Sequence, residues 1–367
     1  MSPDVRRPID RLLLFFALAL MALGMVWVFS SSALKSHNTA TTFLANQLIG
    51  GGVGVTAMLL LIQVNLLTVR DNPRVLQLLY FLSILLLIAV FLFPSINHAH
   101  RWIHLARFSI QPSELFKPLS VLITAWWMVC YQDVWSDNRD SVIKIMLLFA
   151  ILVVPLGLIL HEPDFGTSFL ILFVALVMMF LGGAPRWIFA VMTPVLGIVG
   201  FAFVWLEPYR KARVLSFLNA QADPLGKGHQ SIQSLIAVGN GGVTGVGLGA
   251  SMQKLNYLPE AHTDFIYAVI AEEAGLIGSL LVLALFVGIL WRGYRIAWRV
   301  RDNFLKLSAI GATLLLVVQA LMNISVVLSL APNKGIPLPF ISYGSSSLIA
   351  SLVSLGILLA ISKEVSE

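Results

Sequence analysis

The chain has 367 residues, of which 58% are hydrophobic and only 11% are charged, and its formal net charge is +6. These proportions lie far from those of ordinary soluble domains and exclude a soluble globular enzyme. The basic residues are spread among short connecting segments, which argues against a nucleic-acid-binding surface. A single cysteine excludes an intrachain disulfide. The composition therefore predicts a protein that crosses a membrane many times.

Apolar segments long enough to cross about 30 Å of hydrocarbon occur ten times along the chain. We therefore predict an all-α integral membrane protein with ten transmembrane helices, folded as a single polytopic membrane domain over residues 1–367. The predicted spans lie near residues 12–31, 46–68, 75–95, 112–131, 142–161, 165–183, 186–206, 264–291, 306–330 and 337–362.

Basic residues in short loops indicate the orientation, because cytoplasmic loops are enriched in Lys and Arg. Each basic cluster follows an even number of predicted crossings, so we expect both termini in the cytoplasm. The long loop at residues 207–263, between spans seven and eight, is then expected to be extracytoplasmic. The clusters contain Arg6, Arg7 and Arg11, then Arg70 and Arg74, then Arg292, Arg295, Arg299, Arg301 and Lys306.

The stretch LPEAHTDFIYAVIAEEAGLIG carries acidic residues into predicted span eight, where an ionisable group costs a few kcal/mol. Asp264 has two interpretations. It could cap the helix that follows, or it could be a partly desolvated base that accepts a proton from a substrate hydroxyl. Glu272 and Glu273 lie roughly 12 to 14 Å further along a helix, and we interpret them as structural or coupling residues.

Other charged groups on the predicted outer side also have two interpretations each. Glu114 and Lys117 are three residues apart in QPSELFK, which is typical of a local ion pair, or Lys117 binds an anionic head group. Asp164 in HEPDFGTS could cap span six or belong to a site. Arg210 and Arg213 could snorkel beside lipid phosphates or bind a pyrophosphate.

Two glycine-rich runs, GNGGVTGVGLG at 239–249 and SYGSSS at 342–347, invite comparison with phosphate-binding loops. The first lacks the GK[ST] ending, and neither stands between a strand and a helix. We predict instead that they allow backbone segments to pack closely at the membrane surface.

Five blocks of the sequence resemble the SEDS family of cell-wall polymerases: FSIQPSELFK, EPDFGTS, DPLGKGHQSIQS, GLGASMQKLNYLPEAHTDFIYAVIAEEAGLIG and NKGIPLPFISYGSSS. The resemblance extends from about Ser30 to Ile361, and the last two blocks favour the division branch of the family over the elongation branch. It implies a peptidoglycan glycosyltransferase that polymerises lipid II on the outer face of the cytoplasmic membrane, at the division septum. The implied partners are a class B penicillin-binding protein and other divisome membrane proteins.

The resemblance places the family's essential aspartate on Asp264, which we interpret as the general base. The leaving pyrophosphate would then be stabilised by Lys117, Arg210, Arg213 and Lys334. Mg²⁺ or Mn²⁺ between Asp264 or Asp164 and the pyrophosphate would suit the preference of these ions for oxygen ligands, although the sequence assigns no metal ligands. The residues matched to family motifs around the same cavity are Arg101, Trp102, Glu114, Lys117, Asp164, Arg210, Arg213, Lys334 and Ser342.

Three positions depart from the usual sequence of the family motifs. Asn46 stands where a basic residue is common, Ser345 where glycine is usual, and His229 where tyrosine is frequent.

Other functions remain open from the residues alone: a polymerase of the elongation branch, a flippase for lipid-linked precursor, and a structural division scaffold. A flippase is disfavoured because transporters tend to have repeated halves and a midplane site, whereas these charges lie on one side.

Overall fold

A computed structural model describes most of the chain as helices and one small hairpin. The described residues are 8–32, 37–95, 99–105, 108–136, 138–218, 228–253, 258–333 and 335–365. The helices are α1 (Arg11–Ser32), α2 (His37–Gln63), α3 (Leu66–Asp71), α4 (Arg74–Ala89), α5 (Pro112–Cys130), α6 (Asn138–His161), α7 (Phe165–Leu181), α8 (Arg186–Trp205), α9 (Pro208–Leu218), α10 (His229–Gly241), α11 (Ile266–Arg299), α12 (Asn303–Val327) and α13 (Ser345–Ser362). Two antiparallel strands, β1 (Ile103–Leu105) and β2 (Phe108–Ile110), form the hairpin.

Ten helices account for the ten predicted spans, so the predicted all-α membrane architecture is confirmed. Within the described residues, eight helices are long and apolar enough to cross a membrane: α1, α2, α4, α6, α8, α11, α12 and α13. The ninth, α7, is apolar but has only 17 residues. The tenth, α5, has 19 residues and carries Glu114 and Lys117 near its start.

The structure corrects the predicted boundaries of spans eight and ten. The eighth begins at Ile266 instead of 264 and continues to Arg299. The tenth begins at Ser345 instead of 337, because prolines at 337 and 339 prevent a continuous helix. The residues before Ser345 are nevertheless buried, since Leu338, Phe340 and Ile341 are at most 2% exposed. Apolar composition alone does not distinguish this buried irregular segment from a helix.

Among the eight helices that are long and apolar enough to cross a membrane, α13 and α12 are the most buried and α8 is the least buried. Helix α13 packs closely along α2 because glycines line their contact. An added Cβ at Gly54 would approach Leu352 to 2.6 Å, and one at Gly356 would approach Met58 to 3.1 Å. Small residues at helix contacts let two backbones approach, which is the main source of helix association in a membrane.

An ion pair and a hydrogen bond tie the start of α1 to α11 and α13 at one end of the bundle. Asp10 pairs with Arg292 at 2.6 Å, and its backbone N–H donates to Ser362 Oγ at 3.1 Å. The start of α1, the end of α13 and the last turns of α11 therefore meet. We call this the clamp end, and the end at which α11 begins the Asp264 end.

Helix α11 is interrupted at Gly275, where φ is 63° and ψ is −158°. The interruption leaves helix carbonyls without their usual partners. Two of them, at Glu272 and Glu273, accept hydrogen bonds of 3.0 Å from the backbone N–H groups of Val246 and Gly247. The segment after α10 is thus bonded to the break, and we call the bonded segment, residues 241–247, the glycine clasp.

The glycine clasp requires residues without side chains at the points of contact. A Cβ at Gly241 would lie 1.8 Å from the Ala271 carbonyl oxygen, and a Cβ at Gly245 would lie 2.1 Å from that of Glu273. The prediction that this glycine-rich run lets backbone segments pack closely is therefore confirmed.

We predict that Gly241→Ala lowers the melting temperature of the detergent-purified protein, because the added methyl group overlaps a backbone oxygen. Overpacking of this kind costs about 1 to 3 kcal/mol. Gly239→Ala is the matched control: it lies in the same helix with nothing within 4 Å of its Cβ, and alanine gains about 0.5 to 1 kcal/mol over glycine in a helix. Equal melting temperatures for the two variants would contradict the close contact.

Candidate functional site

Asp264 lies in the turn before α11 and is partly exposed. The N-cap position of α11 is occupied by Phe265, whose side chain makes no capping hydrogen bond. Asp264 is therefore not the N-cap residue of α11, although it lies directly before that residue. Its backbone carbonyl is held by Asn323 Nδ2 at 2.7 Å.

Two amide side chains of α12 hold the chain around Asp264. Asn323 Nδ2 also donates to the carbonyl of Ile336 at 2.7 Å, so one amide joins the turn before α11 to the segment before α13. One turn earlier, Gln319 Nε2 donates to the carbonyl of Pro337 at 2.9 Å. The sequence analysis missed both residues. Two amides at i and i+4 in an apolar helix were the available signal, because buried polar groups require partners.

Glu114 and Lys117 form an ion pair of 2.6 Å, which confirms the local ion-pair interpretation. The side chains are only 3% and 5% exposed, so Lys117 is buried within the bundle. Lys117 Nζ also donates to Gln319 Oε1 at 2.7 Å. Through Gln319, the ion pair is connected to the segment before α13.

Asp164 is the N-cap of α7, as one of its two interpretations predicted. Its Oδ1 accepts from the Thr167 N–H at 3.1 Å, and its Oδ2 accepts from Gln111 Nε2 at 3.2 Å. Gln111 directly precedes α5. Asp164 therefore fixes the start of α7 against the start of α5.

Arg101 holds the turn between α6 and α7 and lies near Asp264. Its Nε donates to the carbonyl of Glu162 at 2.9 Å and its Nη2 to that of Pro163 at 2.5 Å. Gly335 has a φ of 64°, and the position that its Cβ would occupy is 3.3 Å from Asp264 Oδ2 and 4.0 Å from Arg101 Nη1. A carboxyl oxygen and a guanidinium nitrogen thus both lie close to the Gly335 backbone. Trp102 follows Arg101 and is partly exposed.

Glu162 is a site residue that the sequence analysis did not single out. It is fully buried, and neither carboxyl oxygen has a hydrogen-bond partner among the described residues. Burial, together with the nearby charge of Asp164, raises the pKa of Glu162 to about 9, although Arg101 opposes the increase. Glu162 is therefore neutral at pH 7 and adds no charge beside Arg101. Buried acids with raised pKa values are a common feature of functional sites.

Ser342 fixes the residue that precedes Asp264. Its hydroxyl donates to the Thr263 carbonyl at 2.7 Å and accepts from the Leu338 N–H at 2.7 Å. The side chain is 3% exposed. The structure therefore gives this predicted site residue a positioning contact beside Asp264.

Glu272 and Glu273, deeper in α11, have contacts that agree with a structural role. Glu273 accepts two hydrogen bonds from Ser30 Oγ, at 2.8 and 2.9 Å. Glu272 accepts from Ser251 Oγ and from the Met252 N–H. Both side chains are 1% exposed.

The remaining predicted cations are not placed by these contacts. Arg210 and Arg213 lie in α9, and their side chains are outside the described part of the structure. Lys334 lies outside the described residues altogether. Within the described ranges, no three His, Cys, Asp or Glu side chains converge on one point. With both Asp164 oxygens engaged, these residues do not form a metal cage on their own.

Two of the residues that depart from the usual family motif, Asn46 and Ser345, contact each other. Ser345 Oγ donates to the Asn46 carbonyl at 3.3 Å, and Asn46 Nδ2 donates to the Tyr343 hydroxyl at 3.4 Å. The third, His229, begins α10. Asn46 therefore joins α2 to the segment before α13 without contributing a charge.

Curated proteins of similar length match nearly the whole chain. Stage V sporulation protein E of Bacillus subtilis is 39% identical over 364 residues, which are 96% of this chain and 97% of that protein. A probable peptidoglycan glycosyltransferase FtsW of Thiomicrospira cyclica is 37% identical over 366 residues, covering 98% of this chain and 92% of that protein.

Solved structures show the same fold. A chain from a peptidoglycan synthase complex, described as coordinating polymerization and crosslinking, has a TM-score of 0.79 and 30% identity, covering 96% of this chain and 97% of its own. The rod shape determining protein RodA of Thermus thermophilus has a TM-score of 0.69 and 25% identity, covering 98% of each chain. The family model described as cell cycle protein, FtsW/RodA/SpoVE, matches residues 10–367. The chain therefore belongs to the FtsW, RodA and SpoVE family of multi-pass membrane proteins.

Proposed function

We propose that this protein is a peptidoglycan glycosyltransferase that polymerises lipid II on the outer face of the cytoplasmic membrane. The observation that carries the proposal is that Asp264 Oδ2 and Arg101 Nη1 both lie within 4.0 Å of the position that a Cβ at Gly335 would occupy. A relative of nearly equal length is named a probable peptidoglycan glycosyltransferase, which supports the same reaction.

In the proposed reaction, Asp264 accepts the proton of the acceptor sugar's 4-hydroxyl as that oxygen attacks the anomeric carbon of the donor. The α-linked lipid pyrophosphate leaves, and a β-linked glycosidic bond forms with inversion in a single displacement. Asp264 is partly exposed, so a substrate hydroxyl can reach it. A general base contributes about 10²- to 10⁴-fold, so orientation and charge stabilisation supply most of the acceleration.

The leaving pyrophosphate requires cationic partners, and Arg101 Nη1 lies 4.0 Å from the same Gly335 Cβ position that is 3.3 Å from Asp264 Oδ2. Two of its N–H groups hold the turn between α6 and α7, so its guanidinium is fixed before substrate binds. Lys117 adds positive charge inside the bundle, but Glu114 balances most of it. Arg210, Arg213 and Lys334 complete the proposed anion-binding set.

The Asp264 end is proposed to face away from the cytoplasm, with both termini inside. The hydrogen bond between Asp10 and Ser362 at the clamp end supports an even number of crossings. Arg292, Arg295 and Arg299 lie in the last turns of α11 toward that end, as expected for cytoplasmic residues. Residues 207–263, which include α9 and α10, would then be extracytoplasmic.

We further propose a role in septal wall synthesis, with a class B penicillin-binding protein and other divisome membrane proteins as partners. The FtsW names among similar proteins favour division over elongation. A solved structure with a similar fold comes from a complex described as coordinating polymerization and crosslinking. This similarity supports a partner that crosslinks. The alternative is an elongation enzyme of the RodA type, to which the fold is equally suited.

One labelling experiment tests both orientation and location. In a Cys130→Ser background, Glu260→Cys should react with an impermeant fluorescent maleimide in intact dividing cells, and the signal should form a ring at midcell. Arg299→Cys is the control and should remain unlabelled, because it lies toward the clamp end. Labelling of Arg299→Cys alone would reverse the orientation, and patches along the side wall would favour elongation.

Variants of the Glu114–Lys117 ion pair distinguish an effect on stability from an effect on activity. Lys117→Met should lower the melting temperature, because removing one partner of a buried pair costs about 3 to 5 kcal/mol, and should abolish polymerisation. The double variant Glu114→Gln/Lys117→Met removes both charges and should regain stability. We expect it to remain inactive, because Gln319 and the anion both lose the ammonium group. Wild-type polymerisation by the double variant would show that Lys117 serves the fold alone.

The central prediction is that Asp264→Asn lowers polymerisation of lipid II in detergent by about 10²-fold or more, since it removes the proton acceptor. Its melting temperature should stay close to that of the wild type, because Asp264 is not the N-cap residue of α11. Glu260→Gln, an exposed acid in the same turn, is the matched control and should retain activity. Detergent removes the second leaflet, so a flippase would produce no glycan, and near wild-type turnover by Asp264→Asn would refute the catalytic assignment.

A further inference from the structure

Three aromatic rings from separate segments meet beside Asp264. Phe43 of α2 stacks on His262 with ring centroids 4.9 Å apart and an interplanar angle of 20°. Tyr343 lies 4.7 Å from Phe43 and 5.7 Å from His262. We call these three side chains the ring cluster.

The ring cluster is held at a fixed distance from Asp264. The Tyr343 N–H donates to the His262 carbonyl at 3.0 Å, and His262 is two residues before Asp264. Gln47, one turn after Phe43 on α2, donates to the Ser342 carbonyl at 3.1 Å and accepts from the Gly344 N–H at 3.2 Å. Backbone and amide contacts therefore position all three rings.

Phe43 and Tyr343 pack against the hydrophobic core, yet all three members of the ring cluster are partly exposed. The residues that anchor the cluster are buried: Gln47 is 1% exposed and Ser342 is 3% exposed. An imidazole and a phenol also bring polar atoms to the cluster. The rings thus present a surface that is partly apolar and partly polar.

Such a surface complements a pyranose ring. One face of the sugar presents C–H groups, which pack against the electron-rich faces of aromatic rings, and its hydroxyl and acetamido groups can bond to imidazole and phenol. The guanidinium of Arg101 suits an anion instead. The ring cluster and Arg101 therefore differ in the chemistry that they can bind.

We propose that Phe43, His262 and Tyr343 bind an N-acetylhexosamine ring of the acceptor and present its hydroxyl to Asp264. The proposal rests on the glycosyltransferase function above and assigns the acceptor sugar to the ring cluster, while the pyrophosphate is assigned to Arg101 and the other proposed cations. The ring cluster contacts the sugar itself, so its loss weakens binding more than it slows the chemical step.

Saturation-transfer NMR tests the inference with the full chain in detergent and the β-1,4-linked tetramer of N-acetylglucosamine as probe. This probe carries neither lipid nor pyrophosphate, so it reports sugar binding alone. The wild type should transfer saturation to the sugar C–H protons. Phe43→Leu and Tyr343→Leu should bind about two- to tenfold more weakly, as expected for loss of one ring contact. Tyr343→Phe keeps the ring and should retain most of the signal.

Polymerisation kinetics provide a second measurement. Tyr343→Leu should raise KM for lipid II by a similar factor with little change in kcat. Phe201→Leu is the control, because it removes a ring that stacks on Trp205 in the exposed helix α8. Melting temperatures near that of the wild type identify the variants that fold. If one leucine variant does not fold, the other still tests ring loss, and Tyr343→Phe remains as the variant that keeps the ring.

The outcomes distinguish this inference from the proposed function. Asp264→Asn should lose polymerisation and keep probe binding. If the wild type binds the probe through the rings but makes no glycan, the proposed function fails and the sugar site stands. If the wild type polymerises lipid II while the leucine variants retain wild-type KM and probe binding, or if the wild type gives no transfer, the ring cluster is not a sugar site.

Discussion

Irregular backbone can lie inside a membrane-spanning bundle only where protein groups satisfy its N–H and C=O groups. The segment before α13 meets this requirement through α12: Asn323 and Gln319 donate to carbonyls at 336 and 337. Ser342 satisfies the Leu338 N–H. The same Asn323 amide holds the Asp264 backbone. One side chain therefore both satisfies the buried segment and positions the residue that carries the carboxylate. Arg101, Lys117 and the ring cluster are all placed relative to this arrangement.

The membrane helices could be predicted from the sequence because each needs only a long apolar run, and ten runs produced ten helices. The same reasoning extended the last helix over 337–344, since apolar residues also fill a buried loop. The pairing of Glu114 with Lys117 followed from their spacing on one helix face. The contact between Arg101 and the 162–163 carbonyls did not, because it joins segments 61 residues apart. Long-range hydrogen bonds of this kind leave no periodic signal in a sequence.

The charges near Asp264 are balanced in different ways. Glu114 and Lys117 neutralise each other by pairing, whereas Glu162 avoids charge by remaining protonated. Asp164 accepts hydrogen bonds from the N-terminus of α7 and from Gln111. Arg101 and Asp264 place a guanidinium and a carboxyl group close to Gly335, where they would orient a substrate that carries both a hydroxyl and a phosphate.

The interruption at Gly275 divides α11 into two mechanical units. The inner unit is anchored at the clamp end through Arg292, while the outer unit directly follows Asp264. The glycine clasp is bonded to both units. Val246 and Gly247 donate to the carbonyls of Glu272 and Glu273 before the break, and Leu276 and Ile277 after the break donate to the carbonyls of Gly242 and Val243. The clasp therefore acts as a splint across the break: it holds the outer unit, and with it the turn that carries Asp264, against the rest of α11.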